Sequence, residues 1–266
     1  MAISFSRRFI FVLAVPALMA CQSLGLSSMA QETGSRAGGG TLDTAIEAAG
    51  GAAALGNVKE LGWTGTATVN ADGKTTEIQL DATVRPFTFS RISTWPKGER
   101  KGARTVQAEH GSAWLIERFS WTPAPEAQAV YENQEMALYS MMLLTGLKDP
   151  EVKVTEAAPG KDGARTLHVE RPDAPPTDLK FDKSGKLVGA SNSVRDPAGG
   201  AAAIQQTVAF SGEMVSNGVK WPKRITIQRN GQPYFDLELA TFAARPEPTT
   251  APIPETLGEQ DEHAPN

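Results

Sequence analysis

The sequence alternates between apolar and polar residues over much of its length after residue 60. In Leu61–Val69 the odd positions are apolar or small and threonines stand between them, and in Glu77–Val84 every second residue is apolar. Because successive side chains of a strand point to opposite faces, this period predicts strands with one apolar and one polar face. Such strands are typical of an antiparallel sheet with one solvated face. A second sheet, a helix or an apolar ligand must cover the apolar face.

The same pattern of apolar and polar positions predicts about a dozen strands and two main helices. The predicted strands are Leu61–Val69, Thr75–Val84, Phe87–Ser93, Ala103–Glu109, Ser112–Arg118, Val152–Glu156, Ala164–Glu170, Asp178–Phe181, Lys186–Arg195, Ile204–Ser211, Lys220–Arg229 and Tyr234–Phe242. One helix, Thr41–Ala49, precedes the sheet, and a methionine-rich helix, Tyr131–Leu144, interrupts it. Strands and helices do not alternate, so we expect a mainly antiparallel β fold. A sheet of this size is expected to curl, and helices can fill the groove that curling leaves.

The N-terminus is predicted to be an export signal. Arg7 and Arg8 precede the apolar run Phe9–Ala20, which is too short to span a bilayer as a mature helix. In one interpretation residues 1–30 are a signal peptide cleaved after Ala30. In the other, residues 1–20 are a lipoprotein signal and Cys21 becomes the lipidated N-terminus. The paired arginines also leave the export route, Sec or twin-arginine, open.

The remaining boundaries follow from composition. Residues 31–40 are rich in glycine and are predicted to be a linker, and residues 41–244 form the predicted folded domain. Residues 245–266 combine prolines with acidic side chains and cannot bury a core, so we expect a disordered tail.

Charge and composition exclude several classes of site. The formal net charge of −4 argues against binding to nucleic acid, which requires a basic face. Cys21 is the only cysteine, so no disulfide and no zinc–thiolate site is expected. The three histidines, His110, His168 and His263, are too few and too scattered to suggest a metal site. No catalytic motif stands out, and we expect no cofactor, no metal and no enzymatic activity.

Five short motifs follow one another in a familiar order. They are Gly50-Gly51-x-x-x-Leu55-x-x-Val58-Lys59, Arg85-Pro86-x-x-Phe89, His110-Gly111-x-x-Trp114, Phe181-Asp182-x-x-Gly185-Lys186-Leu187 and Gly218-Val219-x-x-Pro222-x-x-Ile225. Each is a turn signal with an apolar residue, and their order and spacing carry the comparison. From about Leu42 to Phe242 the chain resembles the LolA/LolB-like superfamily of bacterial lipoprotein carriers.

The resemblance implies an unclosed, curled β-barrel of about eleven strands, with helices covering the concave face as a lid. The groove of such a protein holds acyl chains, or closes around its own side chains when empty. In the lipoprotein carrier the arginine of the Arg-Pro motif ties the lid closed through the lid backbone. Arg85 is the matching position, and the resemblance implies that it acts as a lid latch.

Several large side chains are candidates for lining this groove. They are Trp63, Ile78, Leu80, Phe87, Phe89, Trp114, Met136 and Tyr139. The simpler interpretation is that most of them are core, although ligand pockets are themselves mostly apolar. Methionine-rich surfaces adapt to varied apolar ligands, which suits a lid helix over Tyr131–Leu144. The basic segment Lys97–Arg104 is either a solvated hairpin tip or a contact for anionic lipid headgroups.

These observations predict an exported envelope protein that binds a lipid, an acylated protein or another apolar ligand in a lidded groove. A role in lipoprotein or lipid trafficking follows from the resemblance. We expect a periplasmic monomer, soluble or anchored to the outer membrane through Cys21. One alternative is a structural or regulatory envelope protein whose groove is filled by its own side chains. Another is a cofactor-free enzyme, which requires a polar cluster in the groove, such as Arg85 or His168 with a carboxylate.

Overall fold

A large antiparallel sheet dominates the fold. The structure is a computed structural model, and it describes residues 36–37, 39–71, 73–117, 120–160 and 163–249. Within these ranges fourteen strands form one antiparallel sheet, and two further strands pair as a separate small hairpin. The predicted fold class, mainly antiparallel β, is therefore confirmed.

The strands and helices have the following bounds. The strands are β1 (Arg36–Ala37), β2 (Glu60–Ala71), β3 (Lys74–Arg85), β4 (Phe89–Pro96), β5 (Arg104–Glu109), β6 (Ser112–Glu117), β7 (Ser120–Pro123), β8 (Lys153–Glu156), β9 (Arg165–Arg171), β10 (Ala174–Phe181), β11 (Leu187–Val194), β12 (Ile204–Ser211), β13 (Met214–Ser216), β14 (Val219–Trp221), β15 (Arg224–Arg229) and β16 (Gln232–Arg245). The α-helices are α1 (Gly39–Ala48), α2 (Ala52–Gly56) and α3 (Glu126–Met141). Short 3₁₀ turns occupy Arg100–Gly102 and Thr145–Lys148.

The sheet consists of two runs of strands that follow one another in sequence, joined by the pairing of β16 with β2, and the short strand β1 adds to β8 at one edge. Its order is β1-β8-β9-β10-β11-β12-β15-β16-β2-β3-β4-β5-β6-β7. The last strand, β16, pairs with β2, so Leu237 lies opposite Ala67 and Phe242 opposite Trp63. The edge strands β1 and β7 are not neighbours in this order, so the described sheet is unclosed, as predicted. It has more than the eleven expected strands, partly because the short edge strands β1 and β7 were not predicted. The predicted strand Lys220–Arg229 is split between β14 of the small hairpin and β15 of the large sheet.

The core lies on the concave face, under the helices. Leu61, Val84, Leu167 and Leu179 of the sheet are fully buried there. Leu42, Ile46, Leu55, Leu138 and Met141 of the three helices belong to the same cluster. Burying one such side chain stabilises the fold by about 1.5–3 kcal/mol, so helical cover is what makes the apolar face of this sheet stable.

Helix α3 is the largest part of this cover. It begins after Pro125, and Glu126 in its first turn is placed favourably for the helix dipole. Its last seven residues, Glu135–Met141, are all buried. The helix starts five residues before the predicted Tyr131 because its first turns are polar and lack an apolar period. It is followed at Leu144 by a positive φ of 63°, which turns the chain out of helical geometry.

Candidate functional site

A cavity of about 190 Å³ lies between α3 and the concave face of the sheet. The sheet contributes the aliphatic side chains Leu80, Ala82, Ile92, Val106, Ile227 and Leu237. Helix α3 contributes Tyr131, Glu132, Glu135 and Tyr139. The cavity thus has a mainly aliphatic wall formed by strands, to which the rings of Trp63, Tyr234 and Phe235 are added, and a polar and aromatic wall formed by the helix.

Strand register explains the aliphatic wall. Trp63, Ala82, Ile92 and Val106 lie side by side on four successive strands. Directly opposed residues of antiparallel strands point to the same face, so the four side chains form one row. Trp63 also packs against Tyr139 of α3, with ring centroids 5.1 Å apart. This contact connects the sheet wall to the helix.

Polar side chains gather where α3 crosses β12, β15 and β16. Glu135 is 5% exposed and accepts a hydrogen bond from Gln206 Nε2 at 2.8 Å. Arg229 Nη2 donates to the Tyr131 hydroxyl at 2.6 Å, and its guanidinium lies 3.5 Å from the centroid of the Tyr234 ring. We call Tyr131, Glu132, Glu135, Gln206 and Arg229 the polar cluster.

Burial changes the protonation of this cluster. Burial first, and the neighbouring charge of Glu135 second, raise the pKa of Glu132 to about 7. Burial also raises the pKa of Glu135, although the Gln206 hydrogen bond opposes that change. The pKa values of the Tyr131 and Tyr139 hydroxyls are raised by burial first and by Glu135 second. Glu132 is therefore near half-protonated at neutral pH, and both tyrosines keep their protons.

The sequence analysis did not identify the polar cluster. Glu132 and Glu135 are three residues apart in a helix, so they share a face with Tyr131 and Tyr139. The sequence did contain one signal for a polar site. Acidic residues stand on the same face as the tyrosines, in a helix otherwise rich in Met and Leu. Gln206 lies 71 residues after Glu135, and Arg229 lies 98 residues after Tyr131. No local pattern joins these strand residues to α3.

Three of the predicted groove residues line the cavity. They are Trp63, Leu80 and Tyr139. Ile78 is only half-buried and packs against the same core cluster without lining the cavity. These positions agree with an inward-facing period of two in β2 and β3.

Phe89 and Trp114 are not brought to the cavity, which corrects the expectation that they line it. Trp114 lies opposite Gln107 in the row next to that of Val106, and so faces the other side of the sheet. Phe89 pairs with Arg85, one residue from the inward-facing Val84, and lies under the Arg85 guanidinium at 4.8 Å. Residues 113–116 are all apolar, so the sequence shows no alternation that would tell which side chains point inward. The pairing of β6 with β5 decides this.

Phe87 and Met136 lie at a different contact. Phe87 is in the turn between β3 and β4, with φ of 59°, and not in the predicted strand. Its backbone N–H donates to Ser140 Oγ at 2.8 Å, and Ser140 Oγ donates to the Met136 carbonyl at 2.7 Å. The guanidinium of Arg171 covers the Phe87 ring at 3.9 Å. Phe87 and Met136 both line a second pocket of about 400 Å³.

Arg85 contacts a buried carboxylate. Its Nε lies 3.4 Å from Glu60 Oε2, and the Glu60 side chain is 0% exposed. Arg245 Nη1 and the backbone N–H of Thr249 also bind Glu60, each at 3.2 Å, and the Thr249 hydroxyl donates to it as well. Among the described residues no hydrogen bond joins Arg85 to α3. Its role as a lid latch stays a prediction, whereas Phe87 does bind α3.

The other candidate groups lie away from the cavity. His168 Nδ1 is 2.7 Å from Asp178 Oδ1, in a row next to that of the buried pair Leu167 and Leu179, and so on the outer face. His110 is exposed in a turn with φ of 49°. The pairs His168–Asp178 and Arg85–Glu60 therefore lie outside the cavity. Neither pair provides the polar groove residues that the enzyme alternative requires.

The basic segment around Lys97 is largely paired with carboxylates or rings. Lys97 Nζ lies 2.5 Å from Glu77, and Arg104 Nε lies 2.9 Å from Glu117. The Arg100 guanidinium lies over the Trp95 ring at 5.1 Å. This arrangement favours a solvated hairpin tip over a site for anionic headgroups.

Neither a metal-ligand cluster nor a membrane-spanning helix is found in the described ranges. No three His, Cys, Asp or Glu side chains are grouped so that they would hold a metal ion. No described helix is long and apolar enough to cross a bilayer. Cys21, the predicted lipidation site, lies outside the described residues.

No protein-family model matches the sequence, and no curated protein matches it. Among solved structures, a LolA superfamily protein from Nitrosomonas europaea superposes with a TM-score of 0.53 and 10% identity, over 80% of this chain and 96% of its own. The chain has a LolA-like fold. A DUF1329 family protein from Desulfovibrio piger superposes with a TM-score of 0.50 and 9% identity, over 78% of this chain and 93% of its own. At these identities the likeness shows a shared fold.

Proposed function

We propose that this protein binds an apolar ligand, a lipid or the acyl chain of a protein, between α3 and the concave face of the sheet. The observation that carries the proposal is the cavity of about 190 Å³ with an aliphatic wall from the sheet and a wall from one helix. The LolA-like fold agrees with the resemblance of the sequence to bacterial lipoprotein carriers, and that resemblance supports a carrier role in the envelope. We further propose that the protein is a periplasmic, non-catalytic monomer whose folded domain spans residues 41–244.

Helix α3 is the element that moves in this proposal. The cavity is smaller than the roughly 300–1,000 Å³ of pockets that enclose drug-sized ligands, so a long acyl chain requires more room. Each buried methylene contributes about 0.8 kcal/mol. The hydrogen bond from Phe87 N–H to Ser140 Oγ, which contributes about 1 kcal/mol net, is one contact that opening breaks. Burial of a few methylenes therefore offsets its loss.

A regulatory protein with a self-filled groove is the second candidate. Trp63 packs against Tyr139 at 5.1 Å and against Trp221 at 6.1 Å, and Trp221 stacks on Phe242 at 5.4 Å. Four rings in contact already occupy the space beside the cavity. In this alternative the outer surface binds the partner and the rings keep the groove shut.

Native mass spectrometry of the protein purified from the envelope fraction tests the proposal. We expect releasable adducts in the lipid mass range. The same spectrum gives the mature N-terminus, either residue 31 or an acylated Cys21. A ligand-free mass that stays unchanged after incubation with envelope lipids would contradict the proposal and favour the self-filled groove.

Two neighbouring substitutions locate the ligand. Ala82 lines the cavity, so Ala82→Phe fills it, whereas Thr83 points to the outer face of the same strand and Thr83→Phe leaves it open. We expect the adducts to disappear from Ala82→Phe and to persist in Thr83→Phe. Thermal unfolding of both variants shows whether they remain folded. Equal adducts in the two variants would place the ligand elsewhere on the protein.

A further inference from the structure

The polar cluster is an unusual wall for a cavity that holds only hydrocarbon. Glu132 and Glu135 face the same space as Leu80 and Val106. A carboxyl group buried in apolar surroundings destabilises the fold unless it is paired or hydrogen-bonded. The cavity therefore has an end that suits a polar group of a ligand, next to walls that suit a hydrocarbon tail.

Two buried amide side chains, Gln206 of the polar cluster and its neighbour Asn192, have atoms without hydrogen-bond partners among the described residues. Gln206 is 1% exposed, and its Oε1 accepts no hydrogen bond from the described residues, although its Nε2 binds Glu135. Asn192 is 7% exposed, pairs with Gln206 across β11 and β12, and has no described partner for either side-chain atom. Arg229 Nε is likewise unpartnered. An unpaired buried polar group destabilises the folded state, so the polar cluster has unused hydrogen-bonding capacity beside Glu135.

The charges of the cluster favour a cationic group. Arg229 is the cation of the cluster, and it is already held by the Tyr131 hydroxyl and the Tyr234 ring. It balances at most one of the two carboxylates. The carboxylates of Glu132 and Glu135, which line the cavity, are acceptors, and an ammonium group can donate its N–H bonds to them. A carboxylate or phosphate in the same place would offer these oxygens only further acceptors.

Aromatic rings add a second attraction for a cation. Tyr131 and Tyr139 from α3, Tyr234 from β16 and Trp63 from β2 all line the cavity. The faces of such rings attract ammonium groups, more strongly where water is excluded. Carboxylates and aromatic faces thus surround one end of the cavity together.

We propose that the cavity takes an amphiphile with an ammonium head group, the head at Glu132 and Glu135 and the apolar tail along the sheet row that contains Trp63, Ala82, Ile92 and Val106. This inference rests on the proposed function and narrows its ligand class. It distinguishes the protein from a binder of plain acyl chains or of fatty acids.

Three ligands with the same twelve-carbon tail test the head-group preference. Dodecylamine, dodecanol and dodecanoate are titrated at pH 7, below their aggregation concentrations, and binding is followed by calorimetry and tryptophan fluorescence. We expect dodecylamine to bind at least ten-fold more tightly than dodecanoate, with dodecanol between them. Equal or tighter binding of dodecanoate overturns the inference.

Substitutions on one helix locate the preference. Glu132→Gln and Glu135→Gln each remove one carboxylate with little change of size, and Glu126→Gln removes an exposed one in the first turn of α3. We expect the two inner variants to lose most of the preference for dodecylamine over dodecanoate, and Glu126→Gln to keep it. Preservation of the preference in both inner variants contradicts the inference, as does binding of dodecylamine by Ala82→Phe.

Failure of this inference is distinguishable from failure of the proposed function. Binding of all three ligands without preference contradicts the head-group assignment and leaves the apolar cavity as a binding site. Binding of none of them, together with a ligand-free mass from the envelope, contradicts both.

Discussion

Glu132 ties the stability of the protein to pH. Its pKa is raised from 4.5 to about 7 by burial and by Glu135, while Gln128 and Arg229 act in the opposite direction. Between these two values the folded state binds more protons than the unfolded state, so stability falls as pH rises. The contribution is fully present below about pH 4.5 and is lost above about pH 7.

We expect the free energy of unfolding to decrease by up to about 3 kcal/mol between pH 5 and pH 8, since one unit of pKa shift corresponds to about 1.4 kcal/mol. Urea unfolding at pH 5, 6.5 and 8 measures this change. Glu132→Gln should reduce the dependence to what Glu135 contributes, since burial raises the pKa of that group too, while Glu126→Gln, exposed on the same helix, should leave it unchanged. An equally steep dependence in Glu132→Gln would show that another group is responsible.

At the scale of the element, the turn between β3 and β4 holds α3 in place. The Phe87 N–H donates to Ser140 Oγ, and Ser140 is fully buried. Ser140→Ala leaves that N–H without its acceptor, and we expect a loss of about 1–3 kcal/mol in the free energy of unfolding, measured in urea. Val130→Ala on an exposed part of α3 is the control and should change stability by about 0.5 kcal/mol or less. Equal effects would show that this hydrogen bond does not hold the helix.

The junction of α1 with the small hairpin depends on a glycine. Gly50 has φ of +127°, and a Cβ built on it would collide with the Gly218 carbonyl oxygen. Beside it, Lys220 N–H donates to the Ala49 carbonyl at 2.8 Å. The end of α1 therefore approaches the hairpin β13–β14 too closely for any side chain at residue 50.

Gly50→Ala is expected to destabilise the protein by about 3 kcal/mol or more, because backbone strain and a steric clash combine. Gly73→Ala, at a φ of +70° with nothing within 4 Å of the added Cβ, separates the two causes and should cost about 1–2 kcal/mol. Thermal unfolding compares the variants. A Gly50→Ala protein no less stable than Gly73→Ala would mean that the hairpin moves away at little cost.

At the scale of the whole molecule, the pairing of β16 with β2 joins the two runs of strands. Ten residue pairs connect the two strands, and Leu237 and Leu239 bury their side chains there. We expect a chain ending at Arg229, without β16, to lose cooperative unfolding altogether, as followed by circular dichroism in urea. A chain ending at Thr249 should unfold like the full chain, because the composition of the tail predicts no contribution to the core. Cooperative unfolding of the shorter chain would show that β16 is dispensable.

The sequence by itself determined the antiparallel β architecture and most element positions. Period two in Leu61–Val69 and Glu77–Val84 predicted β2 and β3, because alternation is a property of each strand alone. The order of five turn motifs indicated the LolA-like fold, because turns also depend on a few adjacent residues. Trp63, Leu80 and Tyr139 were predicted as groove residues for the same local reason.

Only the tertiary structure decided which side chains meet. The register of β6 on β5 turned Trp114 outward, and the positive φ of Phe87 placed its backbone N–H against Ser140 of α3. Packing of α3 on the sheet brought Glu135 to Gln206, 71 residues away along the chain. Register and helix orientation are set by contacts between distant segments, so no local period contains them. Single inward-facing residues such as Trp63 and Leu80 were thus predictable from sequence, and the polar cluster was not.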